Sequence, residues 1–115
     1  MITVNAEDPA GPSEQIRVQF TALIRSGVLT AEAQLPPVRQ LAGDLRVAAG
    51  TVAKAYRELE AQGLVRTGRA AGTRVSAGQV LDASILQLSR TYAQAAKAAG
   101  LDIVEARGLL ALGWE

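Results

Sequence analysis

The chain has 115 residues, 49% hydrophobic and 20% charged, and contains neither cysteine nor histidine. That suits one small domain with an appendage, and it excludes disulfides, thiolate or imidazole catalysis and nearly every zinc site, leaving no implied metal or cofactor. Without a run of eighteen apolar residues or a basic-then-apolar leader, the expectation is a soluble cytoplasmic protein with no membrane partner. The net charge is only +1, yet residues 36–76 hold seven of the twelve basic side chains and three of the eleven acidic ones. A polyanion would bind in that middle third.

At the start of the chain, Ile2 and Val4 alternate ahead of a polar stretch carrying two prolines. This predicts a short extended arm, docked rather than independently stable. From Ser13 to Arg25, Ile16, Phe20, Leu23 and Ile24 make an amphipathic helical stripe, and Gly27 stops it. Ala33-Gln34-Leu35 reads as a short extended link before Pro36-Pro37, and Pro37 suits the first turn of a second helix. That helix places Val38, Leu41, Ala42 and Leu45 on one face. A break at residues 46–50 precedes a third helix over about 50–62, with Val52, Ala55, Tyr56 and Leu59 facing the core and Gly63 as its stop. Two short helices joined by a brief break form a helix-turn-helix pattern.

Leu64–Thr67 and Thr73–Ser76 read as the strands of a hairpin with a basic, glycine-flanked tip, a wing over residues 64–76. Ala77-Gly78-Gln79 reads as a hinge. Beyond it Leu81, Ile85, Leu88, Tyr92, Ala95, Ala96 and Ala99 keep helical spacing to Gly100, and Asp102 with Glu105 resembles a capping box opening a last helix. The expected fold class is mainly α with a small β-hairpin. A winged helix-turn-helix (1–76) precedes a two-helix dimerisation tail (77–115).

The third helix would be the recognition helix, offering Gly50, Thr51, Ala53, Lys54 and Arg57 from its exposed side. A helix N-terminus in the major groove reads bases and attracts phosphate through its free N–H groups. Gly50 would let the backbone approach a phosphate, and Thr51 could donate to the same anion or cap the helix. Arg69, with Gly68 and Gly72 beside it, can enter a minor groove, where negative potential is concentrated. Arg39, near the start of the second helix, can reach guanine or phosphate. Asp44, Glu58 and Glu60 read as solvated or helix-pairing charges.

The stretch LPPVRQLAGDLRVAAGTVAKAYRELEAQGLVRTGRAAGTRV resembles the winged-helix domain of the GntR family of bacterial transcriptional regulators. TVAKAYRELEAQGLV, the short two-helix tail, Glu14–Ile16 and Gly100–Ala106 are similar to its YtrA-like subfamily. The resemblance implies that Arg39 takes the place of the DNA-contacting arginine in the family's PSVRELA motif. It also implies recognition-helix roles for Thr51 and Lys54, and wing roles for Arg69, Gly72 and Thr73. This sequence departs from the pattern at Ala48-Ala49-Gly50, where typical members carry Asn-Pro-Asn or Ser-Arg-Asn, and at Pro37, where a serine is usual. In the wing, Ala70-Ala71 replaces Gly-Lys and Arg74 replaces an aromatic. Those departures move the weight of binding toward phosphates and DNA shape.

Thirty-nine residues of tail cannot bury both faces of two helices against one winged domain, so an apolar stripe would remain. Pairing with a second copy through Leu81, Ile85, Leu88, Tyr92, Ile103 and Leu110 resolves this, with Trp114 as an interface or packing residue. Such a homodimer suits two half-sites about one helical turn apart. The expected function is a non-enzymatic regulator, a repressor most often in the family it resembles, binding double-stranded DNA at an inverted-repeat operator. An unidentified small-molecule effector could enter an apolar crevice at the dimer interface. The alternative reading is a winged-helix protein-interaction module with weak or non-specific DNA binding.

Overall fold

In the computed structural model, which describes residues 1–68 and 72–114, the chain divides into two compact units, Met1–Val80 and Leu81–Glu115. The described residues form five helices and one hairpin. The order is α1 (Pro12–Arg25), α2 (Val38–Leu45), α3 (Ala49–Ala61), β1 (Val65–Gly68), β2 (Gly72–Val75), α4 (Ala83–Ala98) and α5 (Ile103–Leu112).

In the first unit, the apolar stripes of α1, α2 and α3 close one core. Ile16, Phe20 and Ile24 meet Leu41, Ala42, Val52, Ala55, Tyr56 and Leu59, and Leu35, Leu64, Val65 and Val75 complete it. The Phe20 and Tyr56 rings meet edge to face with centroids 5.8 Å apart, a favourable arrangement of aromatic quadrupoles. The Tyr56 hydroxyl donates to the Pro36 carbonyl at 2.7 Å, tying α3 to the entry of α2. Burial pushes the Tyr56 hydroxyl pKa well above its ordinary value.

The amino-terminal arm docks on α1 through two glutamines one helical turn apart. Asn5 N–H donates to Gln15 Oε1 at 2.8 Å, and Gln15 Nε2 donates back to the Asn5 carbonyl at 2.9 Å. Gln19 repeats the exchange with Thr3. The arm therefore satisfies its backbone on side-chain amides, and Ile2 and Val4 pack against the core.

Several element boundaries differ from the sequence reading. Pro37 stands at the N-cap of α2 rather than within its first turn. The helix ends without a glycine: Arg46 itself takes the left-handed conformation, φ +57°, and Val47 N–H reaches back to the Ala42 carbonyl at 3.0 Å. α3 starts at Ala49, so Ala49 and Gly50 belong to its first turn instead of the break. Thr51 is then inside the helix and does not cap it; no side chain caps this end. Both strands lie one residue from their expected limits, because pairing runs Val65–Val75 through Gly68–Gly72. The link before α2 is more than a spacer. Gln34 bridges antiparallel to Arg74, and Leu35 N–H donates to the Thr73 carbonyl at 2.8 Å.

Residues 77–79, read as a hinge, stay with the first unit, and just before them Ser76 N–H donates to the Leu64 carbonyl at 3.0 Å. In the second unit α4 begins at Ala83, so Leu81 precedes the helix. The capping box is present: Glu105 N–H donates to Asp102 at 2.8 Å, and Asp102 N–H donates to Glu105 at 3.1 Å. The Tyr92 hydroxyl donates to the Ala106 carbonyl, joining the two tail helices.

Candidate nucleic-acid interface

The helix-turn-helix presents a continuous polar side because of how α3 is buried. Val52, Ala55, Tyr56 and Leu59 face the core, so Gly50, Lys54 and Arg57 fall on the opposite stripe at i, i+4 and i+7, and all three are exposed. Arg39, the second residue of α2, is exposed as well. Among the described residues, neither the Arg39 nor the Arg57 side chain has a hydrogen-bonded or ion-paired partner, so both guanidiniums are open to solvent.

Gly50 is not required by the protein's own packing. A Cβ there would meet nothing within 4 Å. Thr51 is half-buried, and its N–H donates to the Ala48 carbonyl at 3.0 Å. Beside this stripe, Arg17 of α1 donates to Glu14 at 2.9 and 2.7 Å and lies 3.6 Å from Glu58 of α3. Hydrogen bonding to Arg17, with Lys54 adding a smaller Coulombic contribution, holds the Glu14 carboxyl below the usual carboxylate range. Arg17 is thus neutralised within the protein, unlike Arg39 and Arg57.

At the wing, Glu60 of α3 accepts from Thr67 N–H at 3.1 Å, fixing the hairpin to α3. The hydroxyls of Thr67 and Thr73 lie 3.3 Å apart across the strands. Gly72 has φ +68°, a left-handed conformation that glycine adopts without strain. Arg69, Ala70 and Ala71 lie outside the described residues. The sequence reading missed Glu32, whose carboxylate pairs with Arg66 and whose carbonyl accepts from Arg74 at 2.9 Å. Arg66 beside it holds the Glu32 carboxyl below the usual range. No local pattern marks this contact, since its partners lie 34 and 42 positions away.

Of the tail residues singled out, Leu81, Ile85, Leu88, Ile103 and Leu110 are exposed, between 38% and 65%. Tyr92 is half-buried and engaged inside the tail. A groove of about 530 Å³ runs between α4 and α5, lined by Tyr92, Ala93, Ala96, Leu101, Ile103 and Leu110 among others.

A helix-turn-helix followed by a hairpin, with unpaired cations on the outer stripe, defines a winged-helix nucleic-acid-binding protein. Residues 12–75 match the model described as "Bacterial regulatory proteins, gntR family", and the chain belongs to that family: it is a sequence-specific DNA-binding transcriptional regulator. It is 43% identical over 88 residues to the HTH-type transcriptional regulator Rv1152 of Mycobacterium tuberculosis, covering 76% of this chain and 73% of that protein. It is 37% identical over 76 residues to the HTH-type transcriptional repressor YtrA of Bacillus subtilis, covering 66% of this chain and 58% of that protein. Among solved structures, YtrA from Sulfolobus acidocaldarius, a GntR-family transcription factor, superposes with a TM-score of 0.63 at 29% identity. That match covers 82% of this chain and 97% of the other. The two YtrA matches support the YtrA-like subfamily. Among the described residues, no helix is long and apolar enough to cross a membrane.

Proposed function

We propose that the protein is a repressor that binds an inverted-repeat operator as a homodimer, with α3 in the major groove and the wing in the minor groove. The observation that carries this reading is the outer stripe of α3. Gly50, Lys54 and Arg57 are exposed opposite the core face, with the free guanidinium of Arg39 at the start of the preceding helix. Helix N-termini favour phosphate through free N–H groups and the helix dipole, and the three N-terminal residues of α3 carry no charged side chain that would obstruct approach. In this reading Arg39 reads a base, Gly50 admits a phosphate to the backbone, Thr51 donates to it, and Lys54 holds the DNA backbone. Arg69, Gly72 and Thr73 form the groove-entering wing.

Dimerisation falls to the tail. Leu81, Ile85, Leu88, Ile103 and Leu110 supply an exposed apolar face larger than isolated surface residues would make, and Tyr92 braces the helices that carry it. The name of the Bacillus subtilis relative, a repressor, supports the direction of regulation. The groove between α4 and α5 offers an effector a mainly apolar site, and the protein would act where the chromosome is, in the cytoplasm.

Binding to a promoter fragment carrying an inverted repeat, against a scrambled duplex of equal length, tests the proposal. The expected result is tighter binding to the repeat, two protomers per fragment, and a steep fall in affinity with salt. Equal affinity for both duplexes with a flat salt response overturns it. Gly50→Ala sharpens the assignment. It should stabilise α3 by up to about 1 kcal/mol while weakening DNA binding, because the added methyl meets nothing in the protein and blocks only what comes from outside.

A further inference from the structure

Glu32 occupies a position that does not suit a glutamate. Residues 30–33 form a turn closed by Ala33 N–H donating to the Thr30 carbonyl at 3.0 Å. Glu32 is its third residue, with φ +70°, where glycine or asparagine is the ordinary occupant. Glu32 and Arg46 are the two non-glycine residues with positive φ among those described. A side chain kept at an unfavourable backbone position calls for a compensating role.

The contacts of Glu32 supply that role. Its carboxylate takes the Arg66 guanidinium through both oxygens, and its carbonyl accepts from Arg74 Nη1 at 2.9 Å. Arg66 and Arg74 are directly opposite each other in the hairpin register. Like charges so placed repel unless an anion sits between them. Alternation puts both on the sheet face opposite the buried Val65 and Val75. The Arg66 and Glu32 side chains are 51% and 61% exposed, so a ligand from solvent can reach the pair. Both carboxylate contacts come from Arg66 Nη2, while Nη1 donates to the Val75 carbonyl at 3.3 Å; a guanidinium N–H donates to a phosphate oxygen as readily as to a carboxylate oxygen.

We propose that Arg66 and Arg74 form a DNA-backbone phosphate site at the base of the wing, held shut in the free protein by the Glu32 carboxylate standing in the phosphate position. The inference rests on the DNA-binding reading above. On DNA, a phosphodiester displaces the carboxylate from Arg66, and Arg74 lies beside it to share the charge. Glu32 thereby suppresses sequence-independent binding: a phosphate must compete with an internal anion before this pair adds to affinity.

The test uses the full chain and a labelled random-sequence duplex, titrated at several salt concentrations. Glu32→Gln keeps the shape and removes the charge. It should bind several-fold more tightly and steepen the log–log salt slope by about 0.9, the value for one further phosphate. Glu32→Gly relieves the backbone and should give the same gain, so a folding defect cannot hide the effect. Adding Arg66→Ala and Arg74→Ala to Glu32→Gln should abolish the gain. Glu7→Gln removes an equal charge elsewhere and should give a smaller one. An unchanged slope in both Glu32 variants, weaker binding by both, a gain that survives loss of the arginines, or an equal gain from Glu7→Gln overturns the proposal while leaving DNA binding intact. A wild-type chain that binds no duplex at any salt concentration sinks the DNA-binding reading itself, and this inference with it.

Discussion

In the winged unit, the 14-residue α1 buries Gln15, Ile16, Phe20 and Ile24, whereas in the tail the 16-residue α4 buries Ala96 alone among its described residues. α3 likewise buries four residues and α5 one, Ala106. Both regions carry apolar residues at helical spacing, so pattern does not separate them. Closure does. α3 has neighbours on three sides, α1, α2 and β1, and its stripe of Val52, Ala55, Tyr56 and Leu59 is buried. The tail helices are joined through Tyr92 and Ala106 and leave Ile85, Leu88, Ile103, Leu109 and Trp114 at least half exposed. One region spends its apolar surface on folding, and the other leaves it exposed, on the face to which the proposed dimerisation falls.

The largest expected effect separates the two regions on stability. Phe20→Ala removes a side chain that is 1% exposed and should cost about 3–5 kcal/mol in urea unfolding, while Leu88→Ala, 64% exposed, should change the stability of the monomer by less than about 0.5 kcal/mol. Comparable losses from both substitutions would erase the distinction. Next comes assembly. A chain ending at Val80 should remain folded and sediment as a monomer, with operator affinity lowered on the order of 10²-fold through lost bivalency. Ile85→Asp should act in the same direction by placing a charge in the proposed interface. A truncated chain that still sediments as a dimer would assign assembly to the winged unit.

Arg39→Ala probes how the winged unit divides its contacts. If Arg39 reads a base as proposed, its loss should weaken operator binding by about 1–3 kcal/mol and narrow the advantage over scrambled DNA. Lys54→Ala, at the residue proposed to hold the DNA backbone, should weaken both duplexes evenly and flatten the salt slope. The reverse assignment follows if Lys54→Ala collapses the operator preference and Arg39→Ala leaves it unchanged. The smallest effect belongs to Tyr56→Phe, which gives up the hydrogen bond to Pro36 and should cost about 0.5–1.5 kcal/mol. The raised pKa of Tyr56 gives this a pH signature. The unfolded chain loses the phenolic proton near pH ~10 while the folded chain retains it, so stability should fall as pH rises above that value. Tyr56→Phe should remove this component of the alkaline loss.

The sequence alone determined those features whose cause is local. The stripes of α1, α2 and α3 follow from spacing within one helix, the capping box of α5 from Asp102 and Glu105 three residues apart, and the hairpin from glycines flanking a basic tip. The cationic middle third and the family motif were equally legible, and with them the placing of Arg39, Gly50 and Lys54 on one helix-turn-helix. Tertiary structure decided everything that depends on residues far apart in the chain. It set which arginines are free, since Arg17 is taken by Glu14 and Glu58, and Arg66 by Glu32, while Arg39 and Arg57 stay open. It turned the link at Gln34 into a partner of β2, gripped the arm with Gln15 and Gln19, and placed Arg46 and Glu32 at positive φ without a glycine to announce either. Periodicity reports what a residue's near neighbours demand of it, whereas a counter-ion 34 positions away is chosen only when the folded backbone brings the two charges together.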